Sequence, residues 1–389
     1  MLAIKNGKII TVTQGTLERG TVLVENGKIT AVGTDIAIPE GYEVIDAEGK
    51  WVTPGFVDSH SHVSVETMPH ARGESVDLNE TTSPNTGYIR ALDALNPKDA
   101  GIIRGRQGGI TTSLTIPGSA NVCCGTGIAF KHKDGATVFD IMIEGTEQMK
   151  FALGENPKGT YGGRNVMPKT RMGTGAVLRE ILFNAKVYSD ALLEWEKDPS
   201  KSKPKADFKL DALVPVIRGE MKCRIHAHRS DDIVTAIRVA EEYNLDYALE
   251  HVTEGHLIKD FLKEKDVFLT LGPLFSSPSK SELFNQIPEN AAILSKMGLK
   301  ICLTMDGSGQ VGMLALNVGR AIAYGLDEQT AFEGVTINPA TLLGLQDRIG
   351  SIEVGKDADM AIFSGHPFCS MSRCEKTIID GEVYDTLAK

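Results

Sequence analysis

Cysteine is scarce, with six residues in 389. Cys123 and Cys124 are adjacent, and Cys223, Cys302, Cys369 and Cys374 are scattered, so neither CxxC spacing nor the density of a disulfide scaffold is present. A reducing compartment is expected. No window approaches the roughly 18 apolar residues of a membrane helix, and the chain turns polar after its first four residues, too soon for the apolar region of a signal peptide. These features predict a cytoplasmic protein without a membrane partner. Cationic excess is also missing: 41 Lys plus Arg face 51 Asp plus Glu, a net charge of −10. A nucleic-acid footprint is therefore not expected. Low-complexity tracts and internal repeats are absent, and the basic stretch 197–206 reads as a solvated linker.

With 41% apolar and 24% charged residues, the chain has the composition of a globular protein large enough for two or three domains, or one barrel with an appendage. Residues 1–53 carry apolar runs punctuated by Asn6-Gly7, Asn26-Gly27 and Glu48-Gly49. Asn-Gly between alternating apolar residues signals hairpins. Residues 350–363 and 376–384 repeat the style. Between these ends, short apolar runs alternate with amphipathic stretches, as in repeated βα units. Eight strands are predicted, at 55–58, 110–116, 128–131, 149–153, 224–227, 247–250, 267–271 and 300–304, with 138–143 as a rival for one of them. Ser230 is expected to cap a helix that buries Ile233, Ile237 and Ala240. The fold class is α/β: a (β/α)8 TIM-like barrel over 54–347, with residues 1–53 and 348–389 forming a composite β-sandwich.

Only nine histidines occur, and three sets of them follow predicted strands, where barrel enzymes carry their chemistry. In Asp58-Ser59-His60-Ser61-His62, alternate residues share a face, so His60 and His62 can grip one metal ion while Asp58 orients them. His226 and His228 end the fifth strand and His251 the sixth; His228 is open to two readings, a substrate hydrogen-bond donor or a core residue. Asp306 ends the eighth strand, an acid that can bind metal and carry a proton.

These residues, together with Pro54-Gly55-Phe56-Val57 and the run from Asn338-Pro339-Ala340 to Ala358-Asp359, resemble the amidohydrolase superfamily, in its imidazolonepropionase-like and Xaa-Pro-dipeptidase-like branch, over nearly the whole chain. The resemblance implies a metal shell of His60, His62, His226, His251 and Asp306, holding one or two Zn2+ ions, with Mn2+ or Fe2+ as alternatives. Two are favoured, bridged by Glu155 just beyond a strand end, with Lys150, placed deeper, as the rival bridge. Members that deaminate rings with one metal carry a Glu three residues after the strand-five His. Here that position is Arg229.

The implied reaction is hydrolysis of an amide, cyclic amide or peptide C–N bond of a small molecule, with Asp306 moving the proton and His228 assisting. A heterocycle aminohydrolase is the alternative, and a catalytically silent binding barrel stands behind it. Loops 67–87, 159–173 and 272–287 would read the substrate, with Arg72, Arg164, Arg171 and Arg229 as candidates to pair with a carboxylate. A homo-oligomer is expected.

Overall fold

A computed structural model describes residues 1–68, 76–275 and 278–387. Five strands open the chain: β1 (Leu2–Ile10), β2 (Thr16–Glu25), β3 (Lys28–Gly33), β4 (Glu43–Asp46) and β5 (Trp51–Pro54). Eight follow: β6 (Phe56–Ser61), β7 (Ile110–Thr115), β8 (Cys123–Lys131), β9 (Gln148–Ala152), β10 (Cys223–Ala227), β11 (Tyr247–His251), β12 (Leu269–Leu271) and β13 (Ile301–Leu303). Three close the chain: β14 (Met360–Phe363), β15 (Cys374–Ile379) and β16 (Glu382–Asp385).

Strands β6 to β13 form one sheet in sequence order, and Ser61 of β6 bridges in parallel to Asp306 just beyond β13, bringing the first and last strands together as a TIM-like barrel. All eight predicted strands are present, within a few residues at their ends. One expectation is corrected. β8 pairs antiparallel with both β7 and β9, so the barrel is not eight parallel βα repeats. The seven residues between β7 and β8 cannot make the crossover of a dozen or more that a parallel partner needs. Residues 138–143 hold a 3-10 turn, Val138–Asp140, and no strand.

The chain ends share a second eight-stranded sheet, ordered β16-β15-β14-β5-β1-β2-β3, with β4 branching from β1. Its own core includes Ile4, Val22, Val52, Met360 and Ile378. Asn26 and Gly27 both have positive φ and turn β2 into β3, as the Asn-Gly signal requires. Asn6-Gly7 does not turn the chain: it lies inside β1, where the register with β2 shifts as in a bulge.

Lys131, at the end of β8, ties the barrel to this sheet. It is buried, with Nζ 2.8 Å from Asp357 and 3.2 Å from Asp359, and it also contacts Asp380. Burial opposes ionisation of Asp357, but Lys131 outweighs it and holds that carboxyl down at about 2. Lys131→Met takes the cation from Asp359, while Asp357 keeps Lys28 and Arg348 and Asp380 keeps Lys133, and should cost about 3 kcal/mol at neutral pH, read from denaturant midpoints. The Asp357 share of that stability is complete above the ordinary aspartate pKa of about 3.9 and is lost as pH falls through about 2. The deficit of the variant should therefore shrink in that window. A constant deficit would show that charge is not its cause.

Candidate metal centre

Barrel closure builds the centre. Because β6 adjoins β13, the backbone N–H of His62 donates to the carbonyl of Asp306 at 3.0 Å, and His60, His62 and Asp306 meet at one seam. Asp306 Oδ1 lies 3.2 Å from His60 Nε2 and 3.1 Å from His62 Nε2. Across the cavity, β10 and β11 run in register, with His226 beside Glu250 and Ala227 beside His251, and they bring in the remaining imidazoles. Ring centroids of His60 and His251 are 5.0 Å apart, and those of His226 and His251 are 4.5 Å apart. Both Asp306 and His251 have left-handed backbones, φ 68° and 70°, a strain concentrated where chain ends re-aim side chains into a site.

The proton positions follow from the partners. His62 Nδ1 lies 2.7 Å from the Ile116 carbonyl and His251 Nδ1 lies 2.7 Å from the Gly272 carbonyl. A carbonyl can only accept, so each Nδ1 holds the proton and each Nε2 presents a lone pair. His60 Nδ1 stands 2.7 Å from Glu250 Oε2, off the line of a good hydrogen bond. Burial would raise the Glu250 carboxyl, yet Arg224 and His60 hold it far below the carboxylate range. Arg224 is fully buried, pairs with Glu250 and donates to Gln148 and Thr270 at 2.9 and 3.1 Å, which fixes the acid that orients His60.

Burial and neighbouring imidazoles push His226 and His228 well below the ordinary histidine range and His251 down to about 3. Burial alone would raise Asp306, but His62 and His60 outweigh it and keep the carboxyl well below its usual range. The cluster thus joins an ionised Asp306 carboxylate to the neutral imidazoles of His226, His228 and His251, while burial and Lys150 would lower the pKa of His60 but Glu250 and Asp306 raise it. Asp306 Oδ1 is buried without a hydrogen-bond partner. Imidazole nitrogens and a carboxylate oxygen converging in this way form a donor set that suits Zn2+ or a similar divalent ion. Two groups have one ligand atom per residue within 4.8 Å of each other: His60, His251 and Asp306, and His226, His228 and His251.

Two expectations about placement are corrected. Glu155 is not brought to the cluster: it begins the helix Glu155–Gly162, its N–H donates to Glu282 at 2.8 Å, and its Oε2 accepts from the Glu282 N–H at 3.1 Å. Lys150 is not remote. Its stem runs up the barrel interior from mid-β9, and its buried Nζ is 3.4 Å from His60 Nε2. Burial lowers the Lys150 pKa.

Asp58 orients backbone rather than a ring, accepting from the N–H groups of His60 and Met305 at 3.1 and 3.4 Å. Arg164 donates to Thr81 at 3.0 Å, Arg171 to Asp232 at 2.8 Å and Arg229 to Asp231 at 2.9 and 3.0 Å, and none of them lines the cavity. Arg72 lies outside the described residues.

The sequence reading missed Lys280, Glu282 and Asn156. Lys280 Nζ contacts Glu282 at 2.8 Å and Asn156 at 3.0 Å, and it lines a cavity of about 350 Å3 with Asn156, Ser119, His62, His226, His228 and His251. Glu254 stands immediately before the 3-10 turn Gly255–Ile258, as its N-cap residue. Its side chain also accepts from the Ser230 N–H at 2.8 Å at the start of the helix Ser230–Glu242, whose cap residue is Arg229 rather than the expected Ser230.

The model of the amidohydrolase family matches residues 51–387. The chain belongs to that family. The solved structure of an amidohydrolase from Thermotoga maritima MSB8 is 38% identical, with a TM-score of 0.94, over 99% of this chain and 100% of that one. An amidohydrolase named tasK from Hapsidospora irregularis is 29% identical over 93% of this chain, which spans only 39% of that relative's length. An adenine deaminase of Listeria monocytogenes is 25% identical over 98% of the chain, which spans 57% of its length. The imidazolonepropionase of Thermoplasma acidophilum is 25% identical over 90% of the chain and 84% of its own. Relatives of the branch named from the sequence are thus present, and their names describe hydrolytic enzymes of C–N bonds. No helix among the described residues is long and apolar enough to cross a membrane.

Proposed function

We propose that the chain is a divalent-cation-dependent hydrolase of a C–N bond in a small molecule, an amide, cyclic amide or peptide. The observation that carries this reading is the convergence of ring nitrogens of His60, His62 and His251 on the ionised Asp306 carboxylate, with His60 Nε2 and His62 Nε2 3.2 and 3.1 Å from its Oδ1 and one ligand atom each of His60, His251 and Asp306 within 4.8 Å of the others. His60, His62 and Asp306 would hold one ion, and His226 and His251 a second. Zn2+ fits the nitrogen-rich set, with Mn2+ or Fe2+ as alternatives. Such ions, when bound, make water acidic enough to supply hydroxide near neutral pH and polarise a carbonyl.

Lys150 replaces Glu155 as the proposed bridge. Burial lowers the pKa of its amine, and the neutral form can add to CO2, forming a carbamate and releasing a proton. The carbamate offers two oxygens beside His60. Asp306, ionised at neutral pH, accepts a proton at its carboxylate and returns it to the leaving nitrogen. Lys280, Asn156 and Ser119 supply polar contacts, and a cavity of about 350 Å3 is at the small-molecule end of the range.

A second reading, deamination of a nitrogen heterocycle, is favoured by the similarity to adenine deaminases. It is opposed by Arg229, which stands where a proton-shuttling Glu would be and turns outward to Asp231. The test is one panel: acylated amino acids, dipeptides and cyclic amides beside purines, pyrimidines and imidazolones. Release of amine or ring-opened acid without ammonia is expected. Ammonia from the heterocycles alone would replace this reading with deamination.

A further inference from the structure

We propose that His228 is a cation ligand, completing with His226 and His251 a three-histidine site for the second divalent ion. The inference rests on the cation-dependent reading above and adds a ligand to it.

His226-Ala227-His228 on and just past β10 repeats the spacing of His60-Ser61-His62 on β6, so the same two-residue step presents a pair of imidazoles on opposite sides of the cavity. The second pair is the tighter one. Ring centroids of His226 and His228 are 4.6 Å apart, against 5.3 Å for His60 and His62. His251 closes the figure at 4.5 Å from His226 and 4.7 Å from His228, so the three rings make a nearly equilateral triangle. All three are buried, and one ring nitrogen from each lies within 4.8 Å of the others. Ligands about 2.1 Å from a tetrahedral ion stand roughly 3.4 Å apart, so closure needs only small side-chain shifts.

The outer contacts suit this role. His228 Nδ1 is 2.7 Å from the Thr253 hydroxyl, the kind of partner that fixes the ring of a metal-bound histidine. That leaves Nε2 for the cavity, which His228 lines. The nearest acid to it, Glu282 Oε1, is 3.8 Å away, beyond hydrogen-bond reach, and is held by Lys280 at 2.8 Å. A substrate donor would need its proton on Nε2, whereas a ligand needs a lone pair there; the Thr253 hydroxyl can accept from Nδ1 and so support the ligand form.

The test is titration of chelator-stripped, full-length protein with Zn2+, followed by calorimetry and elemental analysis, and with Co2+, followed by visible absorption. The unmodified chain should take two tight equivalents. His228→Asn should keep one and bind the second at least 100-fold more weakly, with loss of the corresponding Co2+ absorption. Thr253→Val, which leaves all ligands in place and serves if the first variant does not fold, should weaken the second equivalent by about 10-fold or more. Two tight equivalents in His228→Asn, or an unaltered second affinity in a folded Thr253→Val, would overturn the assignment while leaving the cation-dependent reading intact. No binding by the unmodified chain would overturn both.

Discussion

Asp306→Asn should lower turnover by about 10^3-fold, within the 10^2 to 10^4 that positioned acid–base groups contribute, while leaving the fold intact. Asp306 sits at φ 68°, a conformation that Asn adopts more readily than most residues, so the backbone has no reason to rearrange. The amide keeps one oxygen near His60 and His62 but removes the negative charge and the proton acceptor. Cation content should fall far less than turnover, because the imidazoles remain. Steady-state kinetics and elemental analysis on the same preparation would show the split. Turnover within ten-fold of the unmodified chain would remove Asp306 from proton transfer.

Lys150→Met should have the second large effect. Met is close to Lys in length and shape and suits a site that is fully buried, so folding should persist. What is lost is the amine 3.4 Å from His60 and, with it, the carbamate that would join the two ions. Turnover should drop at least about 100-fold, since even partners of metal ligands are worth 10- to 100-fold. A small carboxylate such as formate or acetate should restore part of it by occupying the vacated space. Full activity of Lys150→Met would exclude the carbamate, and Glu155, held against the Glu282 backbone, would still be too engaged to replace it.

Most of the fold was legible because burial on both faces makes a barrel strand a continuous apolar run, and turn residues mark its ends. Direction was not legible in that signal. The reversal of β8 is encoded in the shortness of the connection before it, seven residues against the dozen a crossover requires. Asn6-Gly7 and Asn26-Gly27 are the same dipeptide, yet one makes a bulge and the other a hairpin: β1 is paired on both sides of Asn6, with β2 and β4 before it and with β2 and β5 after it, whereas Asn26-Gly27 joins β2 to β3.

In the site, the histidines and Asp306 could be singled out because they stand at or just past strand ends, with parity adding that His60 and His62 share a face; their union in one shell was what the family resemblance implied. Lys150 could not be placed there, because its height along the strand was judged from the backbone, while a Lys stem reaches about two further residues up a strand whose rise is about 3.3 Å per residue. Glu155 has the right height and the wrong direction, which the start of its helix decides. Glu250 and Arg224 left a signal that could have been used: two opposite charges inside apolar strands, on neighbours in the barrel, where only a buried pair is tolerable.

The central claim is that this cluster of imidazoles and a carboxylate is built around divalent cations. The most direct test is the metal-to-protein ratio, measured by elemental analysis on protein purified without chelators or a histidine-rich tag. The account expects about two equivalents per chain. A ratio near zero that persists after incubation with Zn2+ or Mn2+ would contradict it and make a catalytically silent barrel the reading to pursue.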